Sequence, residues 1–214
     1  MNTRYNRLAG HSVERLAALS DGIFAVAMTL LAIDLRLPAV ELIHSERELV
    51  HALSSVAPNI LVYFMSFLTL GIFWVGQQAQ LNQLKRSNVR LTWIHLLLLF
   101  AVTLLPLSTK FLAEFLAYRT AMLAYWFNIL IFGVILYGSW GYATRNALVK
   151  DDLPREAIAA ICRRILIAQA LYAFATSLCI FSTRLSIALI LLFQLNYVIS
   201  LGFRESWAEE ESEA

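Results

Sequence analysis

Residues Leu91–Thr109 read LTWIHLLLLFAVTLLPLST, 19 consecutive positions without Asp, Glu, Lys or Arg. As a helix rising 1.5 Å per residue, such a run is about 28 Å long, matching the roughly 30 Å hydrocarbon core of a bilayer. Further uncharged runs occupy 49–84, 120–144, 165–183 and 185–203. The first of these holds 36 residues, but its end is polar (Gln77, Gln78, Gln80, Asn82, Gln83), so a span is expected at about 53–80. The other three hold 25, 19 and 19 residues, each close to a spanning length. A sixth segment starts after Ser12, a candidate N-cap, and runs to Leu35 or Leu37 before Pro38 stops it.

The composition agrees. Of 214 residues, 59% are hydrophobic and 15% charged, with a mean hydropathy of +0.66; soluble domains carry roughly 25% charge. This excludes a disordered chain, a coiled coil and an ordinary cytosolic enzyme. The expected fold is all-α, a single membrane domain over 1–205. Its six spans lie at about 12–36, 53–80, 90–109, 119–143, 164–182 and 185–203, followed by an acidic cytoplasmic tail at 206–214. The first segment is unusual, because only 12 uncharged residues (22–33) separate Asp21 from Asp34. A signal-peptide core and an interfacial helix are the alternatives. Ala32-Ile33-Asp34 is not a small-x-small cleavage site, and the segment is read as a span whose ionisable groups face protein or water.

Lysine and arginine orient the spans. With the N-terminus in the cytoplasm, the inner side carries Arg4, Arg7, Arg15, Lys85, Arg86, Arg90, Arg145, Lys150, Arg155, Arg163, Arg164 and Arg204. The outer side carries Arg36, Arg47, Lys110, Arg119 and Arg184, a bias of 12 against 5. Six spans then return the C-terminus to the cytoplasm. The net charge of +2 is a topology signal; its basic residues are spread over several loops and form no nucleic-acid motif. Cys162 and Cys179, 17 residues apart, would stand about 25 Å apart on one helix, beyond disulfide reach. The run Lys150-Asp151-Asp152-Leu153-Pro154 signals a turn and a helix start.

No catalytic or cofactor signature occurs: no H-E-x-x-H, G-x-S-x-G, P-loop or G-x-G-x-x-G. The T-V-G-Y-G filter of ordinary potassium channels is missing as well. The histidines at 11, 44, 51 and 95 are scattered. His95, alone inside the third span, reads as a packing residue, and no residue set has metal-ligand spacing. The protein is therefore not expected to be an enzyme or to hold a cofactor.

Charge inside a spanning helix is costly and often functional, which directs attention to Asp21. Arg15, six positions earlier, stands about 240° away round the helix, so the two do not share a face. Each needs partners on other helices, as a structural clamp or at a permeation path. Another face of this helix carries Val26, Leu30 and Ile33 at i, i+4 and i+7, with Thr29 beside them. From spacing alone this is ordinary lipid-facing or core surface; arranged about a symmetry axis, it becomes a set of apolar rings.

The stretch from Arg15 through Leu19-Ser20-Asp21-Gly22 to Leu31 resembles the R-x-x-x-F-S-D signature that opens the first helix of the transmembrane protein 175 family. These are lysosomal potassium channels in animals, with single-repeat bacterial relatives. Phe73-Trp74, Leu84-Lys85-Arg86 and the run Leu96–Pro106 extend the resemblance over about residues 7–110. It implies a homotetramer around a pore lined by the first helix, with Val26, Leu30 and Ile33 as the hydrophobic constriction and Thr29 as the selectivity-linked hydroxyl. Arg15, Ser20, Asp21, Trp74 and Gln77 fall on the interhelical motif. Two departures stand out: Leu19 replaces the motif phenylalanine, and Gln77 and Gln78 replace the usual histidines. Glutamine cannot take a proton near neutral pH. The function so implied is passive potassium permeation across the cell membrane, with potassium ions and the lipid bilayer as partners and no metal held beyond the ion in passage. The alternative is a secondary transporter using Asp21 as a proton or cation site, although the motif recurs nowhere as an internal repeat.

Overall fold

The computed structural model describes residues 12–33, 35 and 43–213, the part from 201 onward by its backbone alone. Six helices account for nearly all of it: α1 (Val13–Ile33), α2 (Glu46–Leu81), α3 (Val89–Glu114), α4 (Arg119–Arg145), α5 (Arg155–Ser177) and α6 (Thr183–Glu213). A single 3-10 turn, Leu178–Ile180, joins the last two. All six are long and apolar enough to cross a membrane. The protein is an all-α, multi-pass membrane protein.

Caps set the helix starts. Ser12 Oγ accepts from the Arg15 amide at 3.2 Å, in line with its reading as an N-cap. The predicted stop at Pro38 lies outside the described residues. Ser45 caps α2 by accepting from the Glu48 amide at 3.3 Å, and Glu48 Oε2 accepts from the His44 amide at 2.7 Å. Asn88 Oδ1 accepts from the Leu91 amide at 2.8 Å, and Pro154 precedes the first residue of α5. Several helices outrun the uncharged stretches. The 36 residues of α2 make about 54 Å of helix, two turns more than the expected span at its start. α5 begins at Arg155, nine residues before its expected span, and α6 continues to Glu213. Charge limits where a helix can meet hydrocarbon, not where its backbone bonding ends.

Burial ranks the helices. Half of the most apolar window of α3 and of α4 is buried, against 28% for α1 and 11% for α5. α3 and α4 are therefore the centre of the bundle and α1 a flank, packed chiefly on α2 and α3. The core includes Leu98, Leu105, Tyr125, Ile129 and Phe132, all at most 2% exposed. Lipid is as apolar as leucine, so close packing and polar ties hold such a bundle. At Gly133 of α4 a Cβ would collide with the Gln169 side chain of α5. A buried polar ladder joins five helices. Thr109 donates to Ser66 Oγ (2.8 Å), Ser66 to the Tyr125 hydroxyl (3.2 Å), and Tyr125 pairs with Thr69 (3.0 Å). Gln194 Nε2 then donates to Thr69 Oγ1 at 2.8 Å and to the Tyr172 hydroxyl at 3.0 Å.

At one end of the bundle the α2–α3 and α4–α5 turns lie against each other. The Lys85 amide donates to the Leu148 carbonyl and the Lys150 amide to the Gln83 carbonyl, and Lys85 is paired with Asp151. Leu16 of α1 joins Leu81, Leu84, Leu91 and Leu148 beneath these turns. The cysteines are both free, Cys179 being buried.

Candidate functional site

One helix carries two faces with opposite surroundings. Along α1, Leu16, Ser20, Phe24, Ala27 and Leu31 are buried against the neighbouring helices. These positions repeat at three to four residues, the stripe a helix turns toward its partners. The far side carries Val26 at 58% exposure, Leu30 at 42% and Ile33 at 77%, with Thr29 also exposed. Beside it, Leu19, Gly22, Val26, Leu30 and Thr103 of α3 line an open apolar groove of about 370 Å³. Thr29 Oγ1 donates to the Val26 carbonyl at 2.8 Å. Its hydrogen is thus committed within the helix, and its oxygen lone pairs alone face outward.

α1 is tied to α2 by a compact set of hydrogen bonds, made at exposed Asp21 and at buried Ser20. Trp74 Nε1 donates to Asp21 Oδ1 at 2.7 Å, and Gln78 Nε2 donates to the same oxygen at 2.5 Å. Gln77 Nε2 donates to Ser20 Oγ at 3.0 Å and meets His95 Nδ1 of α3 at 3.2 Å. Ser20 Oγ passes its own hydrogen to the Leu16 carbonyl at 2.9 Å. Both hydrogens of the Gln77 amide are thereby used, while its Oε1 is buried without a partner. Ser20, Gln77 and His95 are each at most 1% exposed.

The structure thus brings together four of the five residues expected in the interhelical motif: Ser20, Asp21, Trp74 and Gln77. Arg15 is not among them. It is exposed, and no hydrogen bond or ion pair of its side chain occurs among the described residues. Val26, Leu30, Ile33 and Thr29 lie on one continuous exposed face. The sequence reading missed His95 as a member of the clamp and treated Gln78 only as a lost histidine. The available signal was weak, a lone imidazole in an apolar run (Leu91–Thr109), and only the crossing of α2 and α3 gives it a partner.

Comparison with known proteins places this geometry. Residues 15–106 match the family model described as endosomal/lysosomal potassium channel TMEM175. A potassium channel of Streptomyces collinus is 33% identical over 156 residues, 71% of this chain and 73% of that one. The chain belongs to the TMEM175 family. A potassium channel of Chamaesiphon minutus is 29% identical over 177 residues, covering 81% of this chain and 87% of its own length. The crystal structure of a lysosomal potassium-selective channel TMEM175 homolog from the same organism superposes with a TM-score of 0.75. It has 26% sequence identity and covers 88% of this chain and 97% of that one. The TMEM175 match spans α1, α2 and most of α3, the three helices that share the clamp, whereas the structural likeness extends to the rest of the bundle.

Proposed function

We propose that this TMEM175-family protein is a homotetrameric potassium channel of the cell membrane, with both termini cytoplasmic and four copies of α1 lining a central pore. The observation that carries the reading is the division of α1 into a clamped face and an exposed apolar stripe on a two-sided helix at the flank of the bundle. The relatives named as potassium channels give the permeant ion. Four copies of Val26, Leu30 and Ile33 would form stacked apolar rings. Such side chains cannot replace an ion's water ligands, so conduction requires either a lumen wide enough for partly hydrated ions or a widening motion. Thr29, presenting only lone pairs, favours cations over anions there. The open groove beside the stripe is a suitable seat for a neighbouring subunit.

A transporter built on Asp21 has less support. That carboxylate takes two hydrogen bonds on one oxygen from α2, the environment of a structural tie. The deciding experiment is reconstitution of purified protein into liposomes, with reversal potentials measured in potassium and sodium gradients. A channel gives voltage-driven current without a counter-substrate and a reversal potential that follows potassium. Strictly coupled exchange, or no flux, would overturn the proposal.

A further inference from the structure

A second concave surface lies away from the α1 stripe, between α5 and α6, with Ile72 of α2 behind it, and encloses about 420 Å³. Arg163 and Arg164 occupy one end. They stand directly before the uncharged run 165–183, the level at which a helix passes from the headgroup zone into hydrocarbon. Arg164 is fixed there by its guanidinium lying 4.9 Å over the ring of Tyr197. Neither arginine has an ion-pair partner among the side chains described, those of residues 12–33, 35 and 43–200. Asp21 lines the adjoining groove together with Arg164, but the hydrogen bonds its carboxylate makes are those from Trp74 and Gln78. Deeper in, the walls turn apolar with Ile167, Leu171 and Phe193. α5 is also the least covered of the six helices.

We propose that this groove is a binding site for an anionic phospholipid, its phosphate held by Arg163 and Arg164 and an acyl chain lying along Ile167, Leu171 and Phe193. Charge complementarity selects the ligand. Two guanidinium groups at headgroup depth, without an ion-pair partner among the side chains described, match a phosphate, which arginine holds through charge-assisted, often bidentate hydrogen bonds. The apolar length of the groove selects a lipid over a soluble phosphate. The inference does not rest on the channel reading and stands or falls separately from it.

The test uses the full chain purified in detergent, with thermal unfolding followed while phosphatidylglycerol, phosphatidylcholine or glycerol 3-phosphate is added, and retained lipid read by native mass spectrometry. Phosphatidylglycerol should raise Tm and remain bound, with about tenfold tighter apparent binding than phosphatidylcholine, while glycerol 3-phosphate has no effect. The double variant Arg163→Ala/Arg164→Ala should lose the preference. Leu171→Trp, which fills the groove and spares the arginines, should lose binding as well, and it decides the matter if the double variant does not fold. Equal effects of the two lipids, a full effect of glycerol 3-phosphate, or binding undiminished in Leu171→Trp would each overturn the site, the last by reducing it to surface charge attraction.

Discussion

Asp21 shows how a carboxylate is accommodated in an apolar helix. Trp74 and Gln78 aim two N–H groups at its Oδ1, and hydrogen bonds to an ionised acceptor are the strong ones. Asp21→Asn keeps the shape but removes the charge, so fewer tetramers should form while those that do conduct normally. Size-exclusion yield beside single-channel current checks this, and normal yield with altered permeation would reverse the assignment. Gln77 is a purer structural case, buried and donating to Ser20 and His95 at once. Gln77→Ala leaves two buried groups short of a partner, which costs about 1–3 kcal/mol. It should lower Tm, whereas Gln78→Ala, whose residue is less buried, should cost less. Asp21 was recognisable in the sequence as a residue needing partners on another helix. His95 was not, because imidazole in an apolar run reads as packing until the angle at which α2 crosses α3 is known.

α1 supplies a sharper contrast between adjacent positions. Leu31 is 2% exposed and packs in the core, while Leu30 is 42% exposed on the stripe. Leu31→Ala opens a cavity and should destabilise the protein by about 2–5 kcal/mol, mainly through lost packing contacts, with unitary conductance unchanged. Leu30→Ala should leave Tm nearly as it was but raise leak current and weaken ion selectivity. Thermal unfolding and bilayer recording on the two variants separate these outcomes, and unchanged currents in Leu30→Ala would count heavily against the constriction. The spacing of Val26, Leu30 and Ile33 is visible in the sequence, yet spacing alone cannot tell a lipid-facing stripe from a pore-facing one. Helix starts were legible where a cap residue marks them, as at Ser12 and Pro154. The spans expected from the absence of charge begin later than the helices that hold them, which start at Glu46 and Arg155, because amphipathic turns extend a helix beyond the hydrocarbon.

For the assembly, the consequence of the two-faced α1 is that its stripe should meet copies of itself. Ile33, the most exposed of the three at 77%, is the place to look. Ile33→Cys, in a background with Cys162 and Cys179 replaced by Ala, should form disulfide-linked dimers on mild oxidation, since bridging needs Cα atoms within about 7 Å. Phe174→Cys, on the exposed face of α5, should not. Cross-linking through α5 and none through α1 would place the wrong helix at the axis. Within one chain, the pairing of the α2–α3 and α4–α5 turns puts both on the same side, as alternation of six spans requires. Five helices share one buried polar ladder.

Unaided, the sequence determined how many times the chain can cross a bilayer, because spanning length and absence of charge are local properties that no packing alters. It also determined which helix is exceptional, since Asp21 stands out against an apolar background. Which groups answer Asp21 and Ser20, and that Arg15 stays outside their network while His95 enters it, followed only once α1, α2 and α3 were packed. Hydrogen bonds between residues more than fifty positions apart depend on crossing angles and rotations that no local pattern encodes.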